Sequence, residues 1–314
     1  MTMSQCALKV KGLTKIYGSL LAVDHISFCV RDGEIFGFLG PNGAGKTTTV
    51  RMLCGLTKIT EGKAYIYGHD VIKEHMVVKS LIGVVPDISN LYYELSCWDN
   101  LLFMGEMYGL SKSERIRRAE ELLKLFGLWS RRNILFKNLS KGLKRRLTIA
   151  AALMHNPRIL FLDEPTVGLD VMGKRVIWRI VRELNSRGIT IFLTTHNIYE
   201  AFRLCSRVAI INHGKIVALD TPARLKKLIS AEEVLEIEFY PSNPPVNEIK
   251  RIKGIVDVRY SGSTVRLVVS DPLKALEGLI RYARMNGYSL KMVSLRSADA
   301  EEVFINIVGG YSAG

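Results

Sequence analysis

Gly40-Pro41-Asn42-Gly43-Ala44-Gly45-Lys46-Thr47 follows the apolar run Glu34–Leu39 and opens a helical pattern that begins at Lys46. A GxxxxGK[ST] loop between a strand and a helix constrains the chain tightly. Its backbone amides and the helix N-terminus surround an anion, and its glycines let the backbone approach closely. In this arrangement Lys46 neutralises the β- and γ-phosphates of a nucleotide and Thr47 places its hydroxyl on Mg2+, with Thr48 beside it. The stretch from Gly40 to Thr48 is therefore the expected nucleotide-binding segment, with Mg2+ as its metal.

Such a loop requires a parallel sheet around it, and the rest of the first two thirds supplies candidates. Ile82–Val85, Arg158–Leu162, Thr190–Thr194 and Val208–Ile211 are short apolar runs, most of them continuous, as strands covered on both faces require. They alternate with helical patterns, which predicts an α/β domain over residues 1–230. Between about 87 and 145 the pattern is helical only. Ser111 and Glu114 form a capping box, Ile116, Ala119, Leu122, Leu123 and Phe126 follow at helical spacing, and Gly127 is the stop. This predicts a helical subdomain inserted in the α/β domain.

After Ser230 the pattern changes. Leu235, Ile237 and Phe239 alternate with Glu236, Glu238 and Tyr240, then Pro241, Pro244 and Pro245 break the run. A short helix at Asn247–Lys253, strands at Ile255–Tyr260 and Thr264–Val269 joined through Ser261-Gly262-Ser263, a helix at Pro272–Met285 and a strand at Ser289–Val293 complete a βαββαβ order. That order predicts a small α+β, ferredoxin-like domain over 231–314.

Two further signals carry chemistry. Arg158-Ile159-Leu160-Phe161-Leu162-Asp163-Glu164 is an apolar run ending in two carboxylates. A strand-end Asp-Glu pair alone can serve as a helix cap. Beside a phosphate loop, Asp163 is placed to hold Mg2+ through water and Glu164 to polarise an attacking water. His196 ends Thr194-Thr195-His196, at the strand edge where open parallel sheets bind ligands, although a lone histidine is more often structural.

Composition bounds the rest. With 314 residues, 48% of them apolar, the chain can bury a core and exceeds one compact domain. The run Ile149–Met154 is far too short to cross a bilayer, and Met1–Gln5 shows no signal-peptide pattern, so a cytoplasmic location is expected. Cys6, Cys29, Cys54, Cys97 and Cys205 lack CxxC spacing and are expected to be buried thiols, in neither a disulfide nor a zinc site. The net charge of +14 belongs to the first domain, and 111–146 alone holds 12 Lys/Arg against 3 Asp/Glu. That patch suits an anionic membrane surface or nucleic acid, or is a solvated helical face.

Leu139-Ser140-Lys141-Gly142-Leu143, upstream of Asp163-Glu164-Pro165-Thr166-Val167-Gly168-Leu169-Asp170, resembles the signature motif, Walker B motif and D-loop of ATP-binding cassette (ABC) proteins. The resemblance covers residues 7–229 and includes the phosphate loop and His196. It implies a P-loop NTPase fold of ABC ATPase type, with Tyr17 stacked on adenine and Ser140 and Gly142 reaching the γ-phosphate held by a second ABC ATPase subunit. It also implies that His196 is the switch histidine and Asp170 a dimer-coupling residue. The whole is similar to ATPase subunits of exporters, which pair with an integral membrane permease and sit peripherally on the inner face of the membrane. The helical subdomain, with its basic stretch, faces the permease and inner leaflet in that family.

This chain departs from the family at three positions. Asp87 stands where Gln is usual, and can ligate Mg2+ but not donate a hydrogen bond when ionised. Lys141 replaces a glycine and Leu143 a glutamine, placing a cation and an apolar side chain near the trans phosphate. The competing reading is a soluble ABC-type ATPase acting on nucleic acid or ribosomes. Such proteins usually carry two cassettes, a long coiled-coil insert or zinc-binding cysteines, all missing from this sequence, so no nucleic acid is expected as a partner. A simple binding module would leave Glu164 and His196 without a role.

Overall fold

The computed structural model describes residues 6–229, 233–242, 244–261 and 264–297. The first segment expected to lack a signal pattern, Met1–Gln5, and Gly262 and Ser263 of the predicted turn lie outside these residues, as does the expected boundary at 230/231. Two compact units divide after Pro222.

The first unit begins with β1 (Cys6–Tyr17) and β2 (Leu20–Arg31), followed by β3 (Ile35–Leu39), α1 (Lys46–Leu53), β4 (Glu61–Ile66), β5 (His69–Asp70), α2 (His75–Leu81) and β6 (Ile82–Val85). The helical region holds α3 (Cys97–Met107), α4 (Lys112–Leu125) and α5 (Lys141–Ala152). Then come β7 (Ile159–Asp163), α6 (Val171–Ser186), β8 (Thr190–Thr195), α7 (Ile198–Leu204), β9 (Arg207–Asn212) and β10 (Lys215–Asp220), with α8 (Pro222–Ile229) at the division.

One sheet runs β10-β9-β3-β8-β7-β6, parallel from β9 to β6, with β10 antiparallel at the edge. All residues of β3, β7 and β8 are buried, as continuous apolar runs require. The second sheet, β2-β1-β4-β5, is antiparallel and was not foreseen as a separate layer. The two layers share one apolar core. Phe28 of β2 stacks on Phe36 of β3 with centroids 5.5 Å apart, and Phe192 stacks in turn on Phe36 at 5.8 Å. Truncating one of these rings leaves a cavity costing about 3–5 kcal/mol.

Cys6 and Cys29 form a disulfide, with Cα atoms 5.9 Å apart. This corrects the expectation of five free thiols. The pairing of β1 with β2 brings together two cysteines 23 residues apart, a proximity that spacing along the chain does not reveal. Cys54, Cys97 and Cys205 are free and buried.

In the helical region the capping box forms in full, Ser111 and Glu114 each accepting from the other's backbone amide. Ala119, Leu122, Leu123 and Phe126 are buried, whereas Ile116 is 40% exposed and does not belong to the buried face. Gly127 holds φ 65° just past the helix, as a C-terminal stop needs.

The second unit contains β11 (Glu233–Tyr240), α9 (Val246–Ile249), β12 (Ile255–Ser261), β13 (Thr264–Val269), α10 (Pro272–Met285) and β14 (Ser289–Ser297). Its sheet order β12-β13-β11-β14 is antiparallel throughout. The helix expected over Asn247–Lys253 is shorter and earlier, and begins after Pro245, which lacks an amide proton. Leu235, Ile237 and Phe239 pack with Ile249, Ala275 and Leu279 in one core. Glu236, on the opposite face, is also buried, and accepts from Arg266 Nε at 2.9 Å.

Candidate functional site

The carboxyl ends of β3, β7 and β8 converge on the loop Gly40–Gly45. Gly45 adopts φ 103°, and a Cβ there would meet the Ala22 carbonyl at 2.6 Å, so the turn into α1 requires glycine. Gly40 N donates to Thr195 O at 3.2 Å, and Gly214 N, from the turn after β9, donates to Ala44 O at 3.1 Å. Both sides of the loop are thereby held. Lys46 is buried, and its ammonium donates to the carbonyls of Gly40 at 2.7 Å and Pro41 at 3.0 Å.

Glu164 follows β7. Its φ is 49°, a left-handed conformation that costs a non-glycine residue on the order of 1–3 kcal/mol and persists where the surroundings over-determine it. Here its amide donates to Thr194 O and Thr194 Oγ1, at 3.2 and 3.1 Å. Its Oε2 lies 3.0 Å from His196 Nδ1. Its Oε1 is 3.2 Å from Lys46 Nζ, close enough for charge attraction but without hydrogen-bond alignment, and finds no hydrogen-bond partner among the described residues. A buried carboxylate oxygen left open beside a phosphate loop has capacity for a water or a substrate proton.

Asp163, the last residue of β7, is buried and accepts from Thr194 Oγ1 at 2.5 Å. The exposed Thr47 and half-buried Thr48 begin α1, whose first turn has no acidic residue to compete for an anion. A cleft of about 480 Å³ opens beside the phosphate loop and is lined by Tyr17, Asn42, Gly43, Gly45, Lys46, Thr47, Thr48, Asp87 and Glu164; Asp163 and His196 are not among its lining residues. That volume suits a nucleotide. Tyr17 is 45% exposed, with Lys15 Nζ 4.7 Å from its ring centroid. The donor set suits Mg2+: one hydroxyl and one or two carboxylates, the remaining positions being filled by phosphate oxygens and water.

Ser140, Gly142 and Asp170 do not line this cleft. Ser140 caps α5, accepting from Leu143 N at 3.4 Å, and Asp170 caps α6, accepting from Gly173 N at 2.6 Å. Lys141 extends across Gly168, where a Cβ would fall 1.9 Å from its Nζ. It borders a second cavity of about 330 Å³ together with Asp87, Tyr93, Lys144, Arg145 and Leu169.

Sequence reasoning missed three residues here. His213, in the turn after β9, lines the cleft at φ 44°, and the Asn-His-Gly turn sequence was its only signal. Thr194 holds both Asp163 and Glu164, hidden in an apolar strand. Arg145 reaches from α5 to the backbone of Pro86, Asp87 and Glu164.

The family described as ABC transporter matches residues 23–167. The chain is 34% identical over 305 residues to the linearmycin resistance ATP-binding protein LnrL of Bacillus subtilis, covering 96% of this chain and 98% of that protein. It is 36% identical to the daunorubicin/doxorubicin resistance ATP-binding protein DrrA of Streptomyces peucetius, covering 96% of this chain and 92% of DrrA. With the Nod factor export ATP-binding protein I of a Rhizobium species it shares 37% identity, covering 98% of each chain. Among solved structures, an ATP-binding subunit of an ABC transporter superposes with a TM-score of 0.64 at 30% identity, over 71% of this chain and 92% of that one. A dimeric ATP-binding cassette in a post-hydrolysis state with ADP and Pi gives 0.63 at 29% identity, over 68% and 98%. With the phosphate loop, the paired carboxylates and His196 gathered at one sheet edge, and with relatives matching over nearly its full length, the chain belongs to the ABC transporter family as an ATP-binding, ATP-hydrolysing subunit.

Proposed function

We propose that this chain powers export through a separately encoded membrane permease, hydrolysing ATP in a site completed by a second ATPase subunit. The observation that carries the catalytic part is the Glu164 carboxylate, held between Lys46 and His196 with one buried oxygen left without a hydrogen-bond partner among the described residues. The names of the relatives, antibiotic resistance and Nod factor export, support the direction of transport. The position of Ser140 and Gly142 away from the cleft supports a second subunit, because their expected contact with the γ-phosphate has to be made in trans.

In this reading the amides of Gly43 to Thr48 bind the phosphates, and Lys46 exchanges backbone carbonyls for β- and γ-phosphate oxygens. Tyr17 stacks on adenine. Thr47 and Asp163, with Asp87 at the cleft's edge, hold Mg2+, which when bound supplies charge neutralisation at the transferring phosphoryl group. Glu164 takes a proton from the attacking water, and His196 keeps the carboxylate oriented toward the γ-phosphate side. Asp170 couples the two subunits. The unit from Ala223 onward is an accessory domain. Among the described residues no helix is long and apolar enough to cross a membrane, so attachment to the inner face rests on the permease and the basic helical region.

Sedimentation of the full chain tests the reading. Glu164→Gln with ATP is expected to sediment as a dimer and to return to monomer when Lys46→Ala is added, because that second change removes nucleotide binding. A monomer under saturating ATP overturns the shared-site proposal.

A further inference from the structure

Arg145 is 8% exposed, yet it carries a charge. It projects from α5 and lines the second cavity. Its Nη1 donates to the Pro86 carbonyl at 2.6 Å, and its Nη2 to the Asp87 carbonyl at 2.8 Å and the Glu164 carbonyl at 3.5 Å. The Asp87 carboxylate lies 3.7 Å from Nη2. These partners sit 59, 58 and 19 residues away along the chain. Burial disfavours the guanidinium charge, and the nearby Asp87 and Asp163 oppose that effect.

Stability alone is a poor account of such a group. An ion taken out of water generally returns little net stability, and an apolar side chain of similar volume often serves as well. The helix has no need of it for anchoring, since Leu147, Ile149, Ala150 and Ala151 on α5 are already buried. What Arg145 alone contributes is a planar fork that fixes three carbonyls from two segments. One segment carries Asp87, the other Glu164, and Glu164 is the residue whose left-handed backbone needs outside support.

We propose that Arg145 is a positioning residue for ATP hydrolysis: it ties the signature helix α5 to the Pro86-Asp87 segment and to the backbone of Glu164, holding both carboxylates at the nucleotide cleft. The proposal rests on the catalytic reading of Glu164 given above. It also supplies a route by which a shift of α5, the helix that begins with the signature residues, reaches the hydrolytic carboxylate.

The test uses the full-length chain with Arg145→Met, Arg145→Lys and Arg145→Ala, measuring kcat, KM, affinity for a fluorescent ATP analogue and thermal midpoint. Arg145→Met is expected to lower kcat about tenfold or more, as sub-ångström to ångström misplacement does, while nucleotide affinity changes less than about threefold. Arg145→Lys recovers part of the loss, since it keeps the charge but not the fork. Millimolar guanidinium raises the rate of Arg145→Ala but not of the parent, with sodium chloride at equal ionic strength as the reference. A kcat within about twofold of the parent in Arg145→Met, or in Arg145→Lys if the Met variant does not fold, overturns the proposal. So does a parallel fall of kcat, affinity and midpoint without guanidinium rescue, which marks a purely structural role. Glu164→Gln, run alongside, separates the two levels: if it hydrolyses ATP like the parent, the catalytic reading fails and the positioning role with it, whereas an inactive Glu164→Gln beside an unaffected Arg145→Met refutes only the latter.

Discussion

Replacing Glu164 with glutamine changes one atom of a side chain whose surroundings are fully specified. Glutamine keeps an oxygen able to accept from His196, 3.0 Å from Oε2 in the parent, and it matches the volume of the original side chain. What it loses is the charge opposite Lys46 at 3.2 Å and the capacity to take a proton from water. General-base catalysis contributes about 10²–10⁴ in rate, equivalent to about 2.7–5.4 kcal/mol of transition-state stabilisation. The turnover number is therefore expected to fall at least about a hundredfold. ATP affinity is expected to hold or tighten, because a carboxylate near the γ-phosphate repels it and the amide does not. Steady-state phosphate release gives the first quantity, and titration with a fluorescent ATP analogue gives the second. Turnover within about twofold of the parent would refute the assignment of the catalytic carboxylate. A large loss of ATP affinity would instead show that Glu164 holds Lys46 in place for binding.

Three other outcomes follow from particular contacts. Lys141→Gly combined with Leu143→Gln removes the side chain lying across Gly168 and, in the proposed two-subunit site, places an amide toward the phosphate held in trans, so homodimer kcat should rise with little change in ATP affinity; an unchanged kcat means that these departures have no catalytic effect. His155 stacks on Tyr108 at 3.6 Å, with Nε2 2.8 Å from the Ile82 carbonyl, and burial holds its pKa below the ordinary imidazole value, with Arg118 adding to the shift and the Ile82 hydrogen bond opposing it. The unfolded chain then binds the proton first, so the stability is present above the unfolded pKa and lost as pH falls toward the folded one; melting at pH 7.5 and 5.5 should show a larger acid loss in the parent than in His155→Phe, and equal losses would contradict it. Reducing the Cys6–Cys29 disulfide, which spans 23 residues, should cost about 3 kcal/mol by loop-closure entropy, read as a lower melting temperature with dithiothreitol that Cys6→Ser reproduces; five free thiols in the denatured, unreduced chain would show that the bond does not form.

Much of the first unit's architecture was legible because its signals are local. The phosphate loop announces itself by glycine and lysine spacing, and β3, β6, β7, β8 and β9 by short apolar runs whose boundaries fall within a residue or so of those expected. The Ser111–Glu114 capping box and the alternation of Leu235, Ile237 and Phe239 rest on the same principle, since backbone dihedrals and side-chain period act over a few residues. Asp163, Glu164 and His196 were named from strand ends, which in a parallel sheet all open on one edge. Tertiary structure decided what depends on register between distant segments. It set β1, β2, β4 and β5 apart as an antiparallel layer, and it joined Cys6 to Cys29 across neighbouring strands. It brought His213 to the cleft from a turn, left one Glu164 oxygen without a hydrogen-bond partner among the described residues, and carried Arg145 to three carbonyls that no spacing rule connects to it. Composition and periodicity state which faces are to be buried; only the packing of those faces against one another determines which buried polar atoms meet, and that meeting is where the chemistry of this chain resides.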